Sequence, residues 1–201
     1  VLGGCFANNN VLTNIKIPDS AEVMKGTFSG TSITEINIPD SVRFLENSFT
    51  GANLKKIHLG KGIKVLLSNE FTSCLLDDLT IPDTVEYVEG IIIGGRINKI
   101  KNLHIGENAI YFYESSPIAN PSCSIENLYI GDSVQELTNG MFQNSSEIKS
   151  LRLGNGIKLI NNGSFQNVAV PIELGSRTIL LEYSAISAKP GSDFNIKLND
   201  G

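Results

Sequence analysis

A short phrase recurs along the chain: two apolar residues flank a polar one, and proline or glycine and an acidic residue follow. It is clearest as INIPDSV at residues 36–42, and it returns as IKIPDSA, LTIPDTV and LYIGDSV. Units aligned on this phrase are spaced by 21–25 residues, and they start at Leu12, Ile33, Leu54, Leu76, Ile100, Ile125, Ile148 and Ala169. A period in the low twenties is typical of a solenoid built from leucine-rich repeats.

The phrase itself predicts a strand followed by a corner. Its two apolar residues, such as Ile36 and Ile38, alternate with a polar residue, so both side chains face the core. Pro39 has no N–H to give to a sheet ladder, which ends the strand. Asp40 and Ser41 are then expected to hydrogen-bond neighbouring backbone and stabilise the turn. Further apolar columns lie nine, twelve and sixteen or seventeen places into each unit.

The sequence therefore predicts a single, mostly β leucine-rich repeat solenoid over residues 1–201, with about eight repeats. We expect a right-handed superhelix with a parallel β-sheet on the concave face and short strands or 3-10 or helical turns on the other side. VLGGCF matches VMKGTF and NIKLND matches NIKIPD, which predicts partial repeats at 1–11 and 193–201 and a segment of a longer solenoid. The alternative is that the last strand is a natural cap.

Composition and motifs narrow the class of function. The net charge of −5 argues against a nucleic-acid partner, which usually requires a basic face. The longest apolar runs, such as GIIIGG at 90–95, are too short to span a bilayer. No P-loop, G-x-S-x-G, C-x-x-C or H-x-x-H pattern occurs. The sequence therefore predicts a protein that is not an enzyme and that has no cofactor or metal site.

The three cysteines are predicted to be structural. Cys74 and Cys123 share the corner column two places before each unit starts, and they are two repeats apart. Two strand spacings are about 10 Å, which exceeds the reach of a disulfide. Cys5 aligns with Thr27 and Ser48, so we expect it to be partly buried.

Candidate contact residues come from the outward position between the two core residues of each strand. Both histidines fall in this column. Tyrosine and arginine dominate interface hot spots, so Tyr129 and Arg152 are the expected anchors of a protein-binding face. A plain solvated face is the alternative. The predicted partner-binding residues are Asn37, His58, Thr80, His104, Tyr129 and Arg152.

The fifth unit is irregular and supplies a second candidate. In AIYFYESSPIANPSC, at 109–123, Tyr111 and Tyr113 flank the core residue Phe112, and two prolines lengthen the loop. An exposed aromatic loop is a plausible contact site. The alternative is that these tyrosines pack on neighbours such as Tyr87. Exposed tyrosines, including Tyr129, would also allow carbohydrate binding.

The repeated unit L-x-x-I-x-I-P-D-S-V-x-x-L-x-x-x-x-F resembles the BspA-like, or Treponema pallidum type, leucine-rich repeat family. The clearest copy matches at Ile33, Ile36, Ile38, Pro39, Ser41, Val42, Leu45 and Phe49, and the family's usual unit ending survives as NEFTSC at 69–74. The resemblance implies a cell-surface or secreted protein of a host-associated bacterium or parasitic protist, with a role in adhesion to host matrix proteins. It supplies no shared binding residues. A rigid spacer in a larger surface protein remains the alternative.

Overall fold

The computed structural model describes residues 1–67, 69–90, 92–94, 99–107, 111–112, 123–143 and 147–198. The regular structure in these ranges is β-strand, and none of them contains a helix with the length and apolarity to cross a membrane. The strands are β1 (Leu2–Gly3), β2 (Val23–Lys25), β3 (Glu35–Asn37), β4 (Phe44–Glu46), β5 (Lys56–His58), β6 (Val65–Leu66), β7 (Phe71–Thr72), β8 (Asp78–Ile81), β9 (Tyr87–Val88), β10 (Ile93–Gly94), β11 (Lys99–Ile105), β12 (Tyr111–Phe112), β13 (Ser124–Ile130), β14 (Glu136–Leu137), β15 (Ser150–Arg152), β16 (Leu159–Ile160), β17 (Phe165–Val168), β18 (Ile172–Leu174), β19 (Leu180–Leu181), β20 (Ile186–Ala188) and β21 (Ile196–Leu198).

The strands of the recurring phrase stack on one side of the molecule, which we call the front face. These front strands are β3, β5, β8, β11, β13, β15, β18 and β21, and every hydrogen-bonded pair among them is parallel. The central pairing runs β8, β11, β13, β15. Its register places Thr80, His104, Tyr129 and Arg152 side by side. The mostly β parallel solenoid expected from the sequence is confirmed.

In the described ranges, short strands and not helical turns cover the other sides. A second set of parallel strands comprises β1, β2, β4, β6, β9 and β12, followed by β14, β16 and β19. Its inward row contains Met24, Leu45, Leu66 and Val88, all at most 2% exposed. A third side carries the parallel pairs β7–β10 and β17–β20. Each coil is thus built from short extended segments joined by corners.

Aromatic side chains near the third side stack from coil to coil inside the core. The ring centroids of Phe6, Phe28, Phe49 and Phe71 are separated in turn by 5.4, 5.8 and 6.1 Å. Phe28, Phe49 and Phe71 are fully buried. One coil cannot bury such a ring on both faces, so the stack ties the stability of each coil to its neighbours.

The acidic residue of the phrase bonds to the next coil and not to its own turn. Asp40 Oδ1 accepts the N–H of Lys61 at 2.7 Å, and Asp132 Oδ1 accepts the N–H of Asn155 at 2.9 Å. The prediction that the neighbouring hydroxyl hydrogen-bonds to the backbone of the turn is wrong at Ser41. Within the described part of the chain, that buried oxygen has no hydrogen-bond partner. We call the acid-to-backbone bonds the acid staples.

The first coils depart from the expected pattern. Residues 13–17 and 34–38 are all described, yet no backbone hydrogen bond joins them, and Ile15 is only half-buried. A cleft of about 470 Å³ lies between them. Cys5, expected to be partly buried, is exposed.

The other two cysteines are free thiols inside the corners. Cys74 Sγ donates to the carbonyl oxygen of Phe49 at 3.0 Å. Burial raises the pKa of the Cys74 thiol to about 12 and that of Cys123 to about 11. Both thiols are therefore protonated at neutral pH and serve as small apolar side chains.

The irregular fifth unit is described only in part. Tyr111 pairs in register with Tyr87, so the two residues occupy the same position on adjacent strands of the second set. Tyr113 and the loop that follows, to residue 122, lie outside the described residues.

Candidate partner-binding face

Three of the predicted contact residues form a stack at the centre of the front face. The His104 and Tyr129 ring centroids are 4.1 Å apart with an interplanar angle of 10°, and Arg152 Cζ lies 4.6 Å from the Tyr129 centroid. Strand β13 runs between β11 and β15, so His104 and Arg152 cover opposite faces of the tyrosine ring. We call this set the His104–Tyr129–Arg152 stack.

The tyrosine hydroxyl is anchored through Glu107. It donates to Glu107 Oε1, while Glu107 Oε2 accepts the N–H of Asp132 at 2.7 Å. The Tyr129 hydrogen bond, aided by the Asp132 N–H, lowers the pKa of Glu107. The same hydrogen bond raises the pKa of Tyr129. The ring at the centre of the stack is therefore fixed in position and in protonation state.

Arg152 keeps its hydrogen-bond donors available to solvent. The residue is exposed, and in the described part of the chain its guanidinium has no hydrogen bond or ion pair with a carboxylate. Both oxygens of Glu107 are already engaged. Glu173, one coil further on in the same column, faces Lys197 instead, with 3.5 Å between Oε1 and Nζ.

A row of polar side chains runs beside the stack, two residues earlier on the same strands. Asn127 Nδ2 donates to Asn102 Oδ1 at 2.8 Å, and Asn102 Nδ2 donates to Asp78 Oδ1 at 2.5 Å. Asn127 Nδ2 also lies 3.2 Å from the carbonyl oxygen of Lys101. These bonds hold the amides in a line across three strands.

The remaining predicted residues lie at different distances from this centre. Thr80 is exposed and next to His104 in register. Asn37 and His58 are exposed neighbours on β3 and β5, which form a separate hydrogen-bonded pair. Tyr111 belongs to the second set of strands, away from the front face.

Glu107 was not predicted from the sequence, although one signal for it exists. It occupies the acidic position of the recurring phrase, where Asp83 and Asp132 stand in the adjacent units. Its longer side chain reaches Tyr129 as well as the next coil. Carbohydrate stacking on Tyr129 is not supported, because neither ring face is open. In the described ranges, no three His, Cys, Asp or Glu side chains are grouped as metal ligands would be.

Parallel β coils with a repeat in the low twenties define a leucine-rich repeat solenoid. A family profile described as BspA type leucine rich repeat region, with six copies, matches residues 3–96 and 95–176. The chain belongs to the BspA-type leucine-rich repeat family.

Among solved structures, the chain is similar to the crystal structure of the pneumococcal vaccine antigen PcpA. The identity is 13% and the TM-score 0.42, over 88% of this chain and 54% of that one. The chain thus spans about half the length of the PcpA chain. No curated protein sequence matches it.

Proposed function

We propose that the chain is a non-enzymatic repeat module that binds a protein partner through its front face, centred on the His104–Tyr129–Arg152 stack. One observation carries this proposal: an exposed arginine and a half-buried tyrosine, residue types enriched in hot spots, are already held in place at the centre of the front face. Ordering a flexible side chain on binding costs about 0.5–1.5 kcal/mol, and a prearranged stack avoids much of that cost.

The proposal includes the right-handed winding and the concave front face expected from the sequence. It also places the module outside the cell, on the surface or secreted, in an adhesion role. Support for the location comes from the BspA-type repeats, through the resemblance described above. The row of amides beside the stack would supply polar contacts around the hot spot.

The test is binding of the chain to immobilised fibronectin, laminin and type I collagen. Replacing Tyr129 and Arg152 together with Ala should weaken binding about tenfold or more. The matched control is Tyr183→Ala with Arg177→Ala, which removes the same residue types from exposed positions off the front face. Equal binding by the two double variants, or no binding to any of the three proteins by the unmodified chain, would overturn the proposal.

A rigid spacer is the second candidate, and the coil-to-coil contacts favour it. The phenylalanine stack and the acid staples link successive coils on different sides of the solenoid. A spacer would bind nothing by itself. Inserting or deleting whole coils, away from the stack, would then change the function of a longer protein according to length alone. Loss of function in the Tyr129 and Arg152 double variant would contradict that role.

A further inference from the structure

Arg152 holds an unused set of N–H donors at the centre of the front face. We propose that its guanidinium binds a single carboxylate, from an aspartate or glutamate side chain of the protein partner. Tyr129 acts as the positioning residue for this contact. This proposal rests on the proposed function, since it takes the front face as the contact surface.

The geometry of the stack favours a carboxylate. The guanidinium carbon Cζ lies over the Tyr129 ring, 4.6 Å from its centroid. The N–H donors project from the edges of the plane, where they match the two oxygens of a carboxylate. The ring is itself held by His104 on its other face and by Glu107 at its hydroxyl. The contact with this fixed ring therefore restrains the Arg152 guanidinium before a ligand binds.

The internal carboxylates leave the fork empty and limit the charge that it can accept. Glu107 and Asp132 each use an oxygen to bind backbone N–H groups of the next coil. The two carboxylates also repel an incoming anion, and that repulsion is smaller for a single carboxylate than for a phosphate dianion or a sulfated chain. A single carboxylate can accept two parallel hydrogen bonds from the guanidinium, and it brings only one negative charge.

The first experiment uses a blocked tripeptide, acetyl-Gly-Glu-Gly-amide, with its glutamine analogue as the control ligand. The side-chain Nε–H signals of the intact chain are followed by NMR during titration. Arg177 is exposed and serves as the internal reference. We expect Arg152 to reach half-saturation at about two- to fivefold lower glutamate peptide than Arg177. The same titration of both arginines, or an equal response to the glutamine peptide, would overturn the proposal.

Variants of Tyr129 test the positioning role. Tyr129→Ala should bring the half-saturation of Arg152 to that of Arg177, while Tyr129→Phe keeps the ring and should retain most of the difference. Unchanged backbone amide signals away from the stack would show that Tyr129→Ala is folded. A folded Tyr129→Ala in which Arg152 keeps its preference would contradict the positioning role. Tighter binding of inorganic phosphate or of a heparin oligosaccharide than of the glutamate peptide would contradict the carboxylate.

The experiments distinguish a failure of the carboxylate proposal from a failure of the proposed function. If the matrix proteins fail to bind while the titration succeeds, the partner proposal is wrong and the carboxylate site stands. If a matrix protein binds through the front face but Arg152→Lys binds it equally well, the carboxylate contact is wrong. Blocking the carboxyl groups of that matrix protein with glycinamide should weaken binding to the unmodified chain and leave Arg152→Lys unaffected.

Discussion

The buried carboxyl group of Glu70 accepts the backbone N–H of Ser48 in the preceding coil, at 3.2 and 3.3 Å from its two oxygens. Glu70 occupies the inward corner position that Thr27 and Ser48 fill in earlier coils. Burial is the main cause that raises its pKa to about 8. The side chain is therefore mostly protonated at neutral pH and acts as a polar corner residue without charge.

This carboxyl group should make stability depend on pH. Between its ordinary pKa of 4.5 and its folded value of about 8, the folded chain binds more protons than the unfolded one. The free energy of unfolding should therefore fall as pH rises from 5 to 8, by up to about 1.4 kcal/mol per pH unit from this group. Urea unfolding at several pH values measures it.

Glu70→Gln imitates the uncharged carboxyl and should flatten that decline. The exposed Glu22→Gln is the matched control and should follow the unmodified chain. Parallel profiles for the unmodified chain and Glu70→Gln would show that Glu70 does not control the dependence.

The acid staples should contribute measurably to stability. Asp132→Ala removes the acceptor for the Asn155 N–H, and a hydrogen bond to a charged group on an exposed corner is worth about 1 kcal/mol. Asp19 stands in the same column, in a region that is fully described, and accepts no hydrogen bond. Asp19→Ala should therefore change the free energy of unfolding by less than about 0.5 kcal/mol. Equal losses of unfolding free energy in Asp132→Ala and Asp19→Ala would indicate a general effect of removing a negative charge.

The phenylalanine stack should be among the most sensitive parts of the core. Phe49→Ala removes a fully buried ring between Phe28 and Phe71, and such truncations cost about 3–5 kcal/mol. Phe44 is half-buried on the outer side of β4, with Lys25 Nζ 5.0 Å from its ring centroid. Phe44→Ala should cost about 1–2 kcal/mol. Chemical unfolding measures the loss of unfolding free energy in both variants. A larger loss for Phe44→Ala than for Phe49→Ala would contradict the prediction.

One glycine is required by the approach of the neighbouring coil. A Cβ on Gly156 would lie 1.8 Å from the carbonyl oxygen of Asp132, whereas a Cβ on Gly3 would meet nothing within 4 Å. Gly156→Ala should cost about 3 kcal/mol or more, because two backbones would have to separate. Gly3→Ala should be neutral or slightly stabilising, since it restricts only the unfolded chain. Thermal melts of the two variants make the comparison.

The sequence predicts the coil architecture well because two periods act together. Alternation along the strand sets which side each residue faces, and the repeat length brings Tyr129 next to Arg152. The stack within that row could not be predicted, since it depends on side-chain rotamers and on Glu107, whose length differs from the usual aspartate. The burial of Glu70 could not be predicted either, because a carboxylate in a corner is usually exposed. Burial between coils, not the local pattern, decides its state.

The break between residues 13–17 and 34–38 has a mechanical consequence. At some other front-face junctions, backbone pairs such as β3–β5 and staples such as that of Asp40 resist separation of the coils. Here neither is present, and Asp19 holds no staple. The junction between β5 and β8 also lacks backbone pairing, and Lys61 stands there at the acidic position. Under tension along the solenoid axis, the front face should open first at such junctions, while the paired strands β8, β11, β13 and β15 stay together at the same force.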